Sequence, residues 1–143
     1  MLEYKFSVGK EDFADAAALR EQIFVEEQGF SNEFDEIDQR AIHLVIYREG
    51  EPAATARAFV EEGDPDYRYT IGRVAVAKEL RMYGLGKAAM LALHEHLRAI
   101  GAKELVLSAQ CQAQGFYSKL GYEPYGEVYL DEHCPHQSMR LLL

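Results

Sequence analysis

The segment between Arg73 and Met90 constrains the fold most, because it predicts a strand, a tight turn and a helix in immediate succession. The run from Ile71 to Val76 is apolar and partly β-branched, which indicates a strand. From Leu85 to Ile100, apolar side chains recur at helical spacing. Gly84 and Gly86 lie at the junction of the two elements. We therefore expect a strand, turn and helix unit built around two glycines.

These glycines make the turn a candidate anion site. Glycine lets a ligand approach the backbone closely, and the first N–H groups of a helix have no partner within the helix. The helix dipole adds partial positive charge there, and Arg81 and Lys87 add full charges. The segment therefore predicts a phosphate or pyrophosphate site. The dinucleotide fingerprint Gly-x-Gly-x-x-Gly fits less well, because its third glycine is replaced by Ala89.

Length and composition limit the classes of protein to consider. The chain has 143 residues, 48% of them hydrophobic, which predicts one α/β domain spanning residues 1–143. No window approaches the roughly 18 uninterrupted apolar residues of a membrane span, so we expect a cytoplasmic protein with no membrane partner. The net charge of −9 argues against a nucleic-acid partner. Cys111 and Cys134 lack metal or redox spacing and are expected to be reduced thiols.

The first half of the chain predicts a strand at 4–8, a helix at about 10–25, and two strands at 42–47 and 53–60 that form a hairpin. An acidic loop, 26–38, lies between the helix and the hairpin. Its aromatic residues interrupt the charges, which indicates an ordered loop. A negative loop held on a rigid scaffold would suit a cationic ligand such as an amine.

The second half begins with a fourth strand at 67–76 that leads into the glycine turn and the long helix, which Gly101 ends. Strand, helix and strand in succession predict adjacent parallel strands. The remaining predicted elements are a strand at 105–109, a short helix at 113–120, and antiparallel strands at 126–131 and 138–143 joined by residues 132–136.

Two motifs resemble the GNAT superfamily of N-acetyltransferases. Arg81, Gly84 and Gly86, which follow a Val-Ala-Val strand, match the acetyl-CoA pyrophosphate loop of that family. A second motif is matched by Ala113, Tyr117, Gly121 and Tyr122, with Gln110 in place of the usual Asn. Further similarity to the ElaA-like (YjcF-like) branch covers nearly the whole chain, including 24–28, 35–38, 43–44 and 129–139.

The resemblance implies an α/β (α+β) GNAT fold: a mixed, mostly antiparallel central sheet of about six to seven strands, flanked by helices. In that fold the fourth and fifth strands splay apart and bind acetyl-CoA, the acyl donor. A free N–H near Val76 would stabilise the oxyanion. The residues expected to bind the donor are Val74, Ala75, Val76, Arg81, Met82, Tyr83, Gly84, Leu85, Gly86, Lys87, Ala88, Gln110, Phe116 and Tyr117.

Tyr117 is the expected catalytic acid, since the family tyrosine protonates the departing thiolate of coenzyme A. The expected acceptor is a primary amine of a small molecule or peptide. Arg73 stands on the fourth strand where relatives carry a basic carboxylate, so the general base is open. Glu27, Asp38 and His136 are the candidate bases or amine-binding groups. A homodimer is an open alternative to a monomer.

No metal site is expected, because His94 and His96 lie on different sides of a helix and the Cys134-x-His136 spacing does not match zinc motifs. Two rival functions remain. One is a coenzyme A-binding sensor without turnover. The other is an acyl-homoserine-lactone synthase, since Arg20, Phe24, Asp35 and Asp38 loosely resemble the start of that GNAT-related family, although those enzymes are longer and lack the glycine loop.

Overall fold

The computed structural model describes residues 1–31 and 33–143; Asn32, part of the predicted acidic loop, lies outside the described residues. Within these ranges the strands are β1 Leu2–Val8, β2 Ile42–Arg48, β3 Glu51–Phe59, β4 Arg68–Val76, β5 Glu104–Gln110, β6 Glu123–Asp131 and β7 Cys134–Leu142. The α-helices are α1 Ala14–Arg20, α2 Leu85–Ala99 and α3 Gln114–Lys119. A π-helical segment, Glu21–Glu27, follows α1, and 3₁₀ turns lie at Glu36–Gln39, Lys78–Tyr83 and Cys111–Ala113.

The strands form a seven-stranded sheet in the order β1-β2-β3-β4-β5-β7-β6. β1 and β2, β2 and β3, β5 and β7, and β6 and β7 pair antiparallel. β4 and β5 are parallel, with residues 68–71 beside residues 104–107. Parallel neighbours need a crossover connection, which α2 supplies. The predicted mixed, mostly antiparallel sheet flanked by helices is confirmed.

By its internal contacts the chain divides into two compact units, residues 1–59 with 73–96, and residues 60–72 with 97–143. β4 and α2 each begin in one unit and end in the other. The expectation of a single domain stays a prediction. Among the described residues, no helix is both long enough and apolar enough to cross a membrane.

The first unit is packed on both faces of β2. Successive side chains of a strand point to opposite faces, so Leu44 and Ile46 contact the α2 side with Leu85 and Ala89. Val45 points the other way and packs with Ala16 and Leu19 of α1 and with Ala77. Because both faces are covered, β2 and β3 are nearly continuous apolar runs, and this pattern makes their hairpin predictable from the sequence.

The second unit is built on β5 and β7. Leu105, Leu107 and Ala109 of β5 are buried, as is Met139, which lies opposite Leu107 in β7. By contrast, every residue of β6 is exposed. Arg68 Nε donates a hydrogen bond to Glu104 Oε1 at 2.9 Å beside the parallel pairing.

The helix predicted at about 10–25 is shorter and changes pitch. α1 begins at Ala14, after a turn in which Gly9 has a φ of 72° and its N–H donates to Ala41 O. After Arg20 the helix widens to a π-helix, in which the Gln28 N–H donates to Ile23 O, five residues back, at 3.0 Å. Such wide turns are rare and often lie at functional sites. Here the wide turn carries the chain to Glu27, a candidate site residue.

The last two strands are longer than predicted. Their connection was expected over 132–136, but β7 already begins at Cys134, which leaves Glu132 and His133 as the turn. Glu132 takes a left-handed φ of 54°, as one residue of a tight hairpin turn often must. His136 therefore lies within a strand, opposite Tyr129.

Four charged side chains lie inside the first unit and form what we call the buried charge cluster: Arg20, Glu33, Asp38 and Arg57, at 1%, 5%, 0% and 4% exposure. Arg20 donates to Glu33 Oε2 at 2.7 Å and to Asp38 Oδ1 at 2.8 Å. Arg57 Nη1 also donates to Asp38 Oδ1, at 2.8 Å. The cluster thus joins α1, the acidic loop and β3 around one carboxylate.

Asp38 stays ionised within this cluster. Burial by itself raises its pKa, but the hydrogen bonds and charges of Arg20 and Arg57 outweigh burial and lower the pKa to about 2. Removing one partner of a buried ion pair leaves an uncompensated charge, which is more destabilising than the absence of the whole pair. Asp38 is therefore the residue on which the stability of this region depends most.

We predict that Asp38→Ala lowers the free energy of unfolding by about 3–5 kcal/mol, measured by urea denaturation, because it removes the buried carboxylate that Arg20 and Arg57 share and leaves excess positive charge in the cluster. The exposed Lys5–Asp12 pair, at 3.5 Å, provides the control: Asp12→Ala should change stability by at most about 1 kcal/mol. Because the pKa of Asp38 is depressed from 3.8, the stability that its ionised carboxylate contributes is fully present above pH 3.8. That stability is lost as the pH falls through about 2. Equal stability of Asp38→Ala and wild type would contradict this account.

Candidate active site

The connection between β4 and α2 has the backbone geometry of an anion site. Its 3₁₀ turn ends at Gly84, whose left-handed φ of 70° suits glycine. The Ala88 N–H donates to Gly84 O at 3.1 Å, and the N–H groups before it in α2 have no carbonyl within the helix to bond. A Cβ added at Gly84 would meet nothing within 4 Å, so the space beside this turn is open.

The predicted donor-binding side chains of this segment differ widely in exposure. Ala75 and Leu85 are buried and anchor the loop, whereas Met82, Tyr83 and Lys87 are exposed. Val74, Val76, Gly86 and Ala88 are half-buried. The Arg48 guanidinium lies 4.1 Å from the centroid of the Tyr83 ring, a cation–π contact that links the loop to the end of β2.

Arg81 is already held by a carboxylate. Its Nη1 and Nη2 donate to the two carboxylate oxygens of Glu27, at 2.7 and 2.6 Å, and its Nε donates to Val76 O at 3.3 Å. The hydrogen bond from Arg81 is the main reason that the pKa of Glu27 is lowered. The same fork of donors matches a phosphate group, so Glu27 occupies the donors that a pyrophosphate would use.

Arg73 departs from ordinary strand geometry. Its φ is 52°, in the left-handed region, which costs an L-residue about 1–2 kcal/mol. Its Nε donates to Glu33 O at 3.0 Å, and its Nη2 lies 3.4 Å from Asp35 Oδ2. Burial, and then the like charge of Arg57, lowers the pKa of Arg73. The predicted separation of β4 from β5 beyond this point stays a prediction.

In the second unit, Tyr117 lies in α3 between two other aromatic rings. Phe116 and Tyr122 contact it edge to face, at centroid distances of 5.0 and 5.9 Å. Burial raises the pKa of Tyr117 to about 12, so its hydroxyl stays protonated at neutral pH. Gln110, at the end of β5, accepts a hydrogen bond from Gln112 at 2.7 Å. Catalysis by Tyr117 stays a prediction, and its ionisation state suits an acid.

His136 is less accessible than a residue in a turn would be. It is buried in β7, its Nδ1 lies 2.9 Å from Cys134 O, and its ring stacks with that of Tyr129 at 6.0 Å. Tyr129 in turn forms a hydroxyl contact with Ser108 of β5. The role of His136 as a base or amine-binding group stays a prediction.

The two acidic candidates are engaged by arginines. Asp38 is fully buried, and both its oxygens accept from Arg20, so its burial counts against direct contact with an acceptor. Glu27 is partly exposed, but while Arg81 holds it, the lowered pKa makes it a weak base. Both assignments stay predictions.

Sequence reasoning missed two members of the buried charge cluster, Glu33 and Arg57. Arg57 carried a usable signal, because an arginine inside β3, whose residues 53–59 are mostly small or apolar, must find buried acidic partners. Glu33 carried none, since it stands among other acidic residues of one loop. Among the described residues, the Nε of Arg57 is buried without a hydrogen-bond partner.

In residues 1–31 and 33–143, no three His, Cys, Asp or Glu side chains converge as a metal site would require. Cys111 and Cys134 are free thiols.

Comparison with known proteins agrees with this geometry. Residues 10–143 match the model of the acetyltransferase (GNAT) domain family. YjcF of Bacillus subtilis, described as an uncharacterized N-acetyltransferase, is 34% identical over 133 residues, 91% of this chain and 92% of that protein. The crystal structure of Escherichia coli ElaA superposes with a TM-score of 0.87 at 28% identity, covering 98% of this chain and 99% of that one.

A coenzyme A-dependent acyl-homoserine-lactone synthase, BjaI, also shares the fold, with a TM-score of 0.82. The two sequences are only 17% identical, over 99% of this chain and 82% of that one, so the likeness concerns the fold alone. The match to the family model and the similarity to YjcF and ElaA place the chain more closely: it belongs to the GNAT acetyltransferase family and is an acyltransferase.

Proposed function

We propose that this enzyme transfers the acetyl group of acetyl-CoA to a primary amine of a small molecule or peptide. The observation that carries the proposal is the glycine turn, where Gly84 is left-handed, the space beside it is open and α2 begins immediately. A helix N-terminus of this kind binds pyrophosphate well. The family uses acetyl-CoA, which supplies both the pyrophosphate and the acyl group.

In the proposed reaction the amine nitrogen attacks the thioester carbon directly. A new C–N bond forms, the C–S bond breaks, and the electrons of that bond leave with sulfur as a thiolate. The amine loses one proton to a base or water, and the thiolate gains one, so the products are an N-acetyl amine and coenzyme A. Holding donor and amine together supplies much of the rate enhancement.

Roles for individual residues follow as separate proposals. Backbone groups of Val74, Ala75 and Val76 would pair with the pantetheine arm, and the Val76 N–H would stabilise the oxyanion. Tyr117 would protonate the thiolate, which its raised pKa permits because the hydroxyl keeps its proton until late in the reaction. Gln110 and Phe116 would contact the donor as in the family pattern.

Arg81 has a specific part in this proposal. Because Glu27 occupies its donors in the ligand-free protein, coenzyme A must compete with a carboxylate for the guanidinium. The net contribution of Arg81 to the binding free energy of coenzyme A is therefore the difference between two charge-assisted contacts. It is smaller than the contribution that an unpaired arginine would make.

The identity of the acceptor is less constrained than that of the acyl donor. A coenzyme A-binding sensor remains the rival function. The half-buried Tyr117, whose hydroxyl stays protonated at neutral pH, favours turnover instead. An acyl-homoserine-lactone synthase is supported only by the shared fold. Action in the cytoplasm, without nucleic acid or membrane, and assembly as a monomer or homodimer remain parts of the proposal.

We predict that coenzyme A binds the wild-type protein and that Glu27→Gln tightens binding several-fold, because the variant frees Arg81 for phosphate. Calorimetric titration with coenzyme A, and with NAD and ATP as alternatives, measures both effects. Glu26→Gln is the matched control: its carboxylate is the adjacent one and is exposed. Its affinity should equal that of the wild type.

Two results would contradict this. If NAD or ATP binds and coenzyme A does not, the assignment of the glycine turn is wrong. If Glu27→Gln binds coenzyme A more weakly than the wild type, Glu27 positions Arg81 for the ligand and does not compete with it.

We predict that Tyr117→Phe lowers kcat by about 10²-fold and leaves acetyl-CoA affinity nearly unchanged, because the thiolate charge that it neutralises develops only in the transition state. Thiol release from acetyl-CoA measures kcat once an acceptor is in hand. Tyr122→Phe serves as control, since it removes a hydroxyl from a neighbouring buried ring. Full activity of Tyr117→Phe would make Tyr117 a packing residue only.

A further inference from the structure

Two opposite charges extend the buried charge cluster to the surface of the first unit. Arg73 is 26% exposed and Asp35 is 35% exposed, whereas the four cluster residues are almost fully covered. With these two included, three arginines face three carboxylates. The whole group is therefore balanced in charge, and one member of each sign is open to a ligand.

The two open members are only loosely paired with each other. Arg73 Nη2 lies 3.4 Å from Asp35 Oδ2, near the limit of a hydrogen bond. Asp35 is instead held by Arg57, whose Nη1 and Nη2 donate to its two oxygens at 2.7 and 3.1 Å. Among the described residues Arg73 uses only Nε and Nη2, which leaves the donors of Nη1 for a ligand.

This balance changes which acceptor the region can bind. The sequence suggested a negative loop that attracts a cationic amine, but the acidic groups at 33, 35 and 38 are each paired with arginine. A ligand of net charge would leave this partly buried region with an uncompensated charge, which is unfavourable. A ligand that carries one charge of each sign keeps it neutral.

We propose that the acceptor is a zwitterion with an amine and a carboxylate a few bonds apart, such as an α-amino acid, with its carboxylate on Arg73 and its amine near Asp35. Arg73 directly precedes Val74 in β4, so a carboxylate bound there lies close to the backbone assigned to the donor. The left-handed φ at Arg73 agrees with this role. Glycine would adopt that φ without strain, so a function of the guanidinium explains why arginine occupies the position.

The inference rests on the proposed acetyl transfer. The ammonium group of the zwitterion first gives one proton to water or a base, and the free amine attacks the thioester carbon. The new C–N bond replaces the C–S bond, the nitrogen gives up a second proton, the departing thiolate gains one, and coenzyme A leaves as the thiol. The product is an N-acetyl amino acid, which carries one negative charge and no amine to pair with Asp35. Loss of that contact would favour product release.

The test compares each standard α-amino acid with its own carboxamide, which keeps the amine and removes the carboxylate. Binding is measured by calorimetric titration in the presence of coenzyme A, and kcat/KM by thiol release from acetyl-CoA. We expect the affinity and kcat/KM of at least one free acid to exceed those of its carboxamide by about 10-fold or more. That ratio corresponds to one charge-assisted contact. Arg73→Gly, which also relieves the left-handed strain, should bring that ratio close to one, and Arg73→Lys should keep part of it.

Arg68→Ala is the matched control, since it removes another arginine of β4, one paired with Glu104 and Asp64, and should leave the ratio unchanged. The proposal is overturned if carboxamides bind as well as the free acids, if no free acid binds, or if the preference survives in Arg73→Gly with a native melting curve. Absence of thiol release with every amine would instead refute the proposed function, and the titrations would still decide the acceptor class.

Discussion

The pairing of Arg20 with Asp38 is the interaction on which the position of the acidic loop in the first unit depends. Both side chains are buried, and Arg20 also binds the side chain and the backbone of Glu33. A loop with so many acidic residues would otherwise repel itself and remain solvated. The arginines bring its carboxylates inside and fix its path against β3, while Asp35 of the loop and Arg73 of β4 stay partly exposed.

The stretch of chain that carries Arg20 continues to Glu27, which contacts the segment between β4 and α2. α1 widens into the π-helical segment directly after Arg20, and that segment ends at Glu27, which holds Arg81. One continuous run of chain therefore carries Arg20, which pairs with the acidic loop, and Glu27, which holds Arg81 of the segment between β4 and α2. A change in the π-helical turn would affect both contacts within the first unit.

Most of the fold was predictable because its strands and long helix carry simple patterns. The apolar runs of β2 and β3 and the spacing of Leu85 to Ile100 gave elements close to those observed. The π-helical turn was not predictable, because its sequence is compatible with an ordinary α-helix. The same holds for Asp38: the sequence shows an acidic residue in a loop, and whether it meets solvent or two arginines is decided by contacts distant in the chain.

The most direct test of the account is mass spectrometry of the products formed when the purified enzyme is incubated with deuterated acetyl-CoA and a small-molecule cell extract. The account predicts a labelled N-acetyl compound that accumulates in step with free coenzyme A, with the label on a former primary amine. Release of coenzyme A without a labelled amine, or a labelled product in which the acyl group is bound to oxygen or sulfur, would contradict it.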